Sequence, residues 1–192
     1  TGGSTVFAGG DFTYPNGDGP YLSRMDKTNG VTDWFFPKPN SSVYCSAPDG
    51  AGGYYIGGSF STVGGSTRNR AARINADGTL HPWNPNVTGV VVNAIEVVGG
   101  EVYLGGDFTS VGGVARGNLA SVDATTGALL PFFNGKAVGS NGWFVSDLQE
   151  NGSELVVAGR FPFVGSSKPY GVKLDATTGI PDFSYVVPNS AQ

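Results

Sequence analysis

Two stretches, Asp123-Ala-Thr-Thr-Gly127 and Asp175-Ala-Thr-Thr-Gly179, place a carboxylate and two hydroxyls in a short loop. Such oxygens suit a hard cation, and calcium takes about six to eight of them. Each loop supplies a single carboxylate. Asp and Thr side chains also satisfy the backbone of a turn, and Gly supplies its positive φ. Both stretches therefore read as turns, and no metal or cofactor site is assigned.

The other reactive residue types lack partners at useful spacing. Cys45 is the only cysteine, so neither a disulfide nor a thiolate metal site can be assembled. It falls in a predicted strand and reads as a buried, inert thiol. His81 is the only histidine, and a general base needs partners within hydrogen-bond reach. It is expected in a solvated turn. Asp147, Glu150 and Glu154 cluster about one predicted hairpin, again as a solvated turn. No catalytic residue is assigned and the chain is expected not to be an enzyme.

Arg24, Arg73 and Lys173 share one repeat position, with Ser121 in the remaining copy. A basic ring is conceivable there. The favoured expectation is a cation lying over an aromatic ring or pairing with Asp11 or Asp107. Trp34, Phe35, Phe36, Trp83, Phe132, Phe133 and Phe183 follow the turns. Exposed, they would stack on sugars; recurring in register, they read mainly as packing between repeats.

Composition narrows the setting. The 192 residues are 39% hydrophobic and 14% charged, with 32 glycines, 12 prolines and a net charge of −4. The glycines recur at fixed spacing beside aromatics, which points to tight turns between packed strands. With only 11 Lys and Arg and no basic stripe, a nucleic-acid partner is not expected. No apolar run reaches the length of a membrane-spanning helix. Thr1-Gly2-Gly3-Ser4 is not a signal peptide, so export would require a segment removed or lying outside this chain.

These residues are positioned by a repeat. Val6-Phe-Ala-Gly-Gly-Asp-Phe12, Tyr54-Tyr-Ile-Gly-Gly-Ser-Phe60, Val102-Tyr-Leu-Gly-Gly-Asp-Phe108 and Leu155-Val-Val-Ala-Gly-Arg-Phe161 align, with the closing Phe advancing by 48, 48 and 53. We name this segment B. Segment C follows as Leu22–Asp26, Ala71–Asn75, Leu119–Asp123 and Gly171–Asp175, each leading to a turn glycine at 30, 78, 127 or 179. Segment D carries Trp34, Trp83, Phe132 and Phe183. Segment A precedes the next B as Val43–Ala47, Val91–Ile95 and Phe144–Leu148. Each segment is short, rich in β-branched and aromatic residues, and bounded by Gly, Asn and Asp. Val91, Asn93, Ile95 and Val97 alternate with Val92, Ala94 and Glu96, so one face should be more buried. Glycine pairs inside a strand predict a bulge or close approach of a neighbour.

Four strands in ~48 residues is the signature of a β-propeller blade. The expected fold is all-β: four four-stranded blades at 1–41, 42–89, 90–142 and 143–192. Segment A occurs three times against four for the others. The first blade thus lacks one strand, and the chain is expected to be part of a larger propeller or to borrow a strand from a neighbour. Unpaired edges invite association.

Residues 102–127 resemble the delta-60 repeat, a bacterial β-propeller repeat, and residues 54–84 do so nearly as well. Copies one and four are looser: Tyr14-Pro-Asn-Gly17 replaces the Val-Gly-Gly turn in copy one, and Arg160 replaces Asp in copy four. The resemblance implies a module of large exported proteins, secreted or at the cell surface, with a virion-associated setting open. It carries over no catalytic residues. The expected function is structural or adhesive, through contacts with other protein chains or neighbouring domains at open strand edges. The alternatives are a carbohydrate-binding propeller contacting surface glycans, and a fragment of a propeller glycosidase or quinoprotein. Quinoprotein repeats share an Asp-x-x-Thr-Gly turn, but the vicinal cysteines some of them use cannot exist with one Cys. The insertion Phe133-Asn-Gly-Lys-Ala-Val-Gly-Ser-Asn-Gly-Trp143 breaks the spacing, and function in repeats tends to sit at such departures. Trp143 and Lys136 are the candidate contact residues, beside the plainer reading of a long loop. Asn40, Asn86 and Asn151 match the glycosylation acceptor pattern.

Overall fold

The computed structural model describes residues 5–10, 21–33, 35–131, 142–161, 171–176, 178–180 and 182. Lys136, Asp11, Trp34, Phe132, Phe133 and Phe183, together with the Tyr14–Gly17 turn, lie outside them. All regular structure among the described residues is β, and every strand pairing is antiparallel.

Among the described residues four main sheets follow one another along the chain, with a fifth, two-stranded one beside the second. Sheet I is β1 (Thr5–Gly9) on β2 (Leu22–Asp26). Sheet II is β3 (Val43–Pro48), β4 (Tyr54–Gly58) and β7 (Ala71–Ile74), with a small hairpin of β5 (Thr62–Val63) and β6 (Ser66–Thr67). Sheet III is β8 (Val87–Val98), β9 (Glu101–Val111) and β11 (Leu119–Asp123), with β10 (Val114–Ala115) pairing the end of β9. Sheet IV is β12 (Phe144–Asn151), β13 (Glu154–Arg160) and β14 (Gly171–Asp175). Segments A, B and C thus form strands as expected.

Segment D does not. It contributes single bridges, Met25 to Thr32, Ile74 to Leu80 and Val122 to Leu129. Pro82, Pro85 and Pro131 explain this in sheets II and III, because proline offers no N–H to a ladder. The register also corrects the alignment of segment A. Val43 lies opposite Gly58 as Val92 lies opposite Gly106 and Val145 opposite Gly159. Val43 therefore corresponds to Val92 and Val145, one residue along from the match to Val91 and Phe144. Each of these strands carries a bulge just after that valine. The bulge also ends the alternation in β8, where Val92, Ala94 and Ile95 are all buried.

The core lies between successive sheets. Leu22 of sheet I joins Val43, Ile56, Phe60 and Ile74 of sheet II. Tyr55 and Trp83 of sheet II join Val92, Leu104, Phe108 and Val122 of sheet III. Tyr103 and Leu119 of sheet III join Leu148, Leu155, Val157, Phe161 and Leu174 of sheet IV. A two-faced sheet of this size hides its apolar side chains only against its neighbours.

Candidate functional site

The Asp-Ala-Thr-Thr-Gly stretches are closed turns. Asp123 Oδ1 accepts the amides of Thr125 and Thr126 at 3.0 and 2.7 Å and the Thr126 hydroxyl at 2.7 Å. Asp175 Oδ1 accepts the amide and hydroxyl of Thr178 in the same way. Gly127, at φ 77°, returns its amide to the Asp123 carbonyl. The carboxylates are engaged locally, as the turn reading requires.

These turns are also receivers for the sheet before them. Tyr55 donates its hydroxyl to the Ala124 carbonyl at 2.7 Å, and Trp83 Nε1 donates to the Asp123 carbonyl at 2.9 Å. Arg73 reaches the same Ala124 carbonyl at 3.3 Å. One seam earlier, Arg24 donates to the carbonyls of Ala76 and Asp77 at 3.0 and 2.9 Å. One seam later, Tyr103 donates to the Ala176 carbonyl. A turn thus offers its backbone oxygens across the seam while its own carboxylate holds its shape.

The basic residues are ion-paired, and one of them also lies over an aromatic ring as expected. Arg73 pairs with Asp49 at 2.8 Å and lies over the Tyr55 ring at 5.3 Å. Burial opposes ionisation of Asp49. The amides of Ala51 and Gly53 and the Arg73 guanidinium outweigh it and hold the carboxyl below its usual range. Arg24 pairs with Asp33 at 3.2 Å and Lys173 with Glu154 at 2.5 Å. Asp107 does not take the cation, and Asp11 lies outside the described residues.

Close approach explains the glycine pairs. A Cβ on Gly57 would stand 2.6 Å from Cys45 Sγ and 2.7 Å from Val92 Cγ1, so the next sheet sits directly on it. A Cβ on Gly58 would strike the Ser42 carbonyl at the bulge of the same sheet. Gly105 and Gly106 repeat the arrangement against Val145 and Val91.

Trp143 is partly buried on the core between sheets III and IV, with the Arg160 guanidinium 5.4 Å from its ring. Its carbonyl accepts Asn118 Nδ2 at 3.1 Å. Trp83 and Phe36 are buried, whereas Phe35 is 100% exposed. Cys45 is half-buried where full burial was expected, and desolvation pushes its thiol up to about 12 against the Gly57 amide that lowers it, which disfavours the thiolate. His81 Nδ1 accepts the Trp83 amide at 3.0 Å, and burial with Arg73 nearby keeps its pKa low. Asp147 Oδ1 accepts the Leu148 amide. Asn40 binds Ser61 through its amide nitrogen, while Asn86 Oδ1 accepts from Asn69. An open cleft of about 280 Å³ beside β2 is lined by Arg24, Met25, Asp26, Asn29 and Asp33 among others.

Two seam residues escaped the sequence reading. Arg70, at φ 63°, donates to the carbonyls of Gly89, Ser59 and Phe60. Asn118, at φ 65°, occupies the same place in sheet III. Left-handed backbone at non-glycine residues has no sequence signal here. The tyrosine repeated at 55 and 103 was the readable one.

Among known proteins, the family model described as "Domain of unknown function (DUF5122) beta-propeller" matches residues 52–82. No curated protein matches the chain. A solved structure, "Crystal structure of the computationally designed Ika8 protein: crystal packing No.1 in P63", is similar at a TM-score of 0.59 and 15% identity. The likeness covers 94% of this chain and 46% of that one, so the chain spans less than half of its length. At this identity the likeness bears on fold alone. Among the described residues the chain is all-β, built of small successive sheets, and residues 52–82 match a β-propeller family model.

Proposed function

We propose that the chain is a non-enzymatic propeller module of the delta-60 type, exported in bacteria to the cell surface or beyond, and that its work is contact between protein chains. In this reading the four sheets are blades, at 1–41, 42–89, 90–142 and 143–192, of a propeller that this chain forms in part. One observation carries it. The residues best equipped for chemistry are spent on the seams, as with Arg73, Tyr55 and Trp83 converging on the Asp123-Ala124 backbone. A scaffold so built offers surfaces and edges. The insertion that ends at Trp143, with Lys136 within it, remains a candidate contact element on its departure from the repeat.

A carbohydrate-binding role is the second reading, favoured by Phe35, whose ring is fully exposed. Cross-linking mass spectrometry on the native protein, run beside a glycan array, separates the two. The first reading expects cross-links to other chains and an empty array. Glycan binding that disappears in Phe35→Ala would replace it with the second. Hydrolytic or quinone-dependent turnover by the native protein would overturn both.

A further inference from the structure

One position of segment C carries a cation in copies one, two and four and a serine in copy three. The strand register fixes the match. Arg24 faces Phe7, Arg73 faces Tyr55, Ser121 faces Tyr103 and Lys173 faces Val156. Each cation has a carboxylate: Arg24 has Asp33, Arg73 has Asp49 and Lys173 has Glu154. Copy three keeps the acid. Glu101 faces Asp123 as Glu154 faces Asp175, so it stands where Glu154 stands, with a serine in place of the lysine.

The seam between sheets III and IV is consequently short of donors. Ser121 is 0% exposed, and its Oγ has no hydrogen-bond partner among the described residues. Glu101 Oε2 is buried and has none either. An unanswered buried carboxylate oxygen is costly. Tyr103 has one phenolic proton for two acceptors, the Ala176 carbonyl and the Glu101 carboxylate. Burial first, then the charge of Glu101, pushes that phenol up, so it keeps its proton.

The preceding seam holds the complete arrangement. Arg73 Nε and Nη2 donate to Asp49 Oδ2 at 3.0 and 2.8 Å, and Nη1 donates to the Ala124 carbonyl at 3.3 Å. The guanidinium lies over the Tyr55 ring at 5.3 Å. In the next seam Glu101 takes the part of Asp49, the Ala176 carbonyl that of Ala124, and Tyr103 that of Tyr55. Only the guanidinium has no counterpart in the chain.

We propose that the seam between sheets III and IV binds a guanidinium group from outside the chain, held by Glu101, Ser121 Oγ and the Ala176 carbonyl beside the Tyr103 ring. One carboxylate suits one positive charge, and planar donors can reach carboxylate and carbonyl together. Gly99 and Gly100, directly before Glu101, are exposed, and a Cβ on either would meet nothing within 4 Å. The carboxylate thus follows an open rim. The site stands whether or not the chain works by contact with other proteins.

Isothermal titration calorimetry of the whole chain with methylguanidinium, at fixed ionic strength, tests this. Saturable binding is expected, weakened at least about tenfold in Glu101→Gln. Ser121→Arg should abolish it by supplying the guanidinium from the chain itself. Ser121→Ala adds no bulk and should weaken binding about threefold or more, with thermal unfolding showing that each variant folds. A parallel titration with N-acetylargininamide separates two sources of the group. Binding there too assigns the site to an arginine side chain of a protein, and binding of methylguanidinium alone assigns it to a free small cation. No saturable heat from methylguanidinium, equal binding of potassium, or binding indifferent to Glu101→Gln would overturn the proposal.

Discussion

At the scale of single residues, the seams depend on few hydrogen bonds and much buried area. Tyr55→Phe removes only the bond to the Ala124 carbonyl and should cost about 1 kcal/mol in urea unfolding. Trp83 is 1% exposed and stands edge-on to Tyr55 at 5.0 Å, so Trp83→Ala should cost ~3–5 kcal/mol. Two carboxyls give opposite pH signatures. The Asp49 carboxyl titrates lower in the folded state than in the unfolded chain. Its contribution is full above the unfolded value and lost as pH falls through the folded one. Asp49→Asn should therefore weaken the protein at pH 7 and close the gap to wild type in acid. Burial, with Glu150 and Asp147 beside it, raises the Glu96 carboxyl despite the Glu150 amide. Its contribution is present below the unfolded value and lost as pH rises through the folded one. Glu96→Gln should thus raise the melting temperature at pH 7 and leave it unchanged in acid.

At the scale of elements, the glycine pairs decide how closely sheets approach. Gly57→Ala should cost ~1–3 kcal/mol, since the new methyl meets Cys45 and Val92. Copy four has Ala158 at this position, on the outer face of sheet IV. Ala158→Gly should cost only the ~0.5–1 kcal/mol of backbone freedom. Denaturant midpoints for the pair check both values. Segment B was legible because its first glycine meets a close neighbour in three copies, at Gly9, Gly57 and Gly105, and its closing Phe is buried at 60, 108 and 161. Segment C was legible because its turn residues are held by their own side chains. Segment A was misread by one residue, since a bulge adds a residue that leaves no mark in the sequence. Segment D was taken for a strand on its aromatics, but its prolines withhold the donors a ladder needs. The seam contacts end on backbone carbonyls, which every residue has, so the sequence revealed the donors and hid the acceptors. Trp143 was singled out for the insertion, and its ring proves to cover a seam.

At the scale of the molecule, the sheets form a one-dimensional stack in which each unit is completed by its neighbours. Nearest-neighbour terms then dominate stability, and a short array behaves as one cooperative body. The proposed contact function rests on the same logic, since faces that join sheet to sheet can also join chain to chain. The most direct measurement follows urea unfolding separately at Trp83, in the seam between sheets II and III, and at Trp143, on the seam between III and IV. Variants keeping only Trp83 or only Trp143 of the three tryptophans, with and without Gly57→Ala, provide the probes. A coupled stack predicts one shared midpoint that Gly57→Ala lowers equally at both. Separate midpoints, with only the Trp83 transition moved, would contradict it.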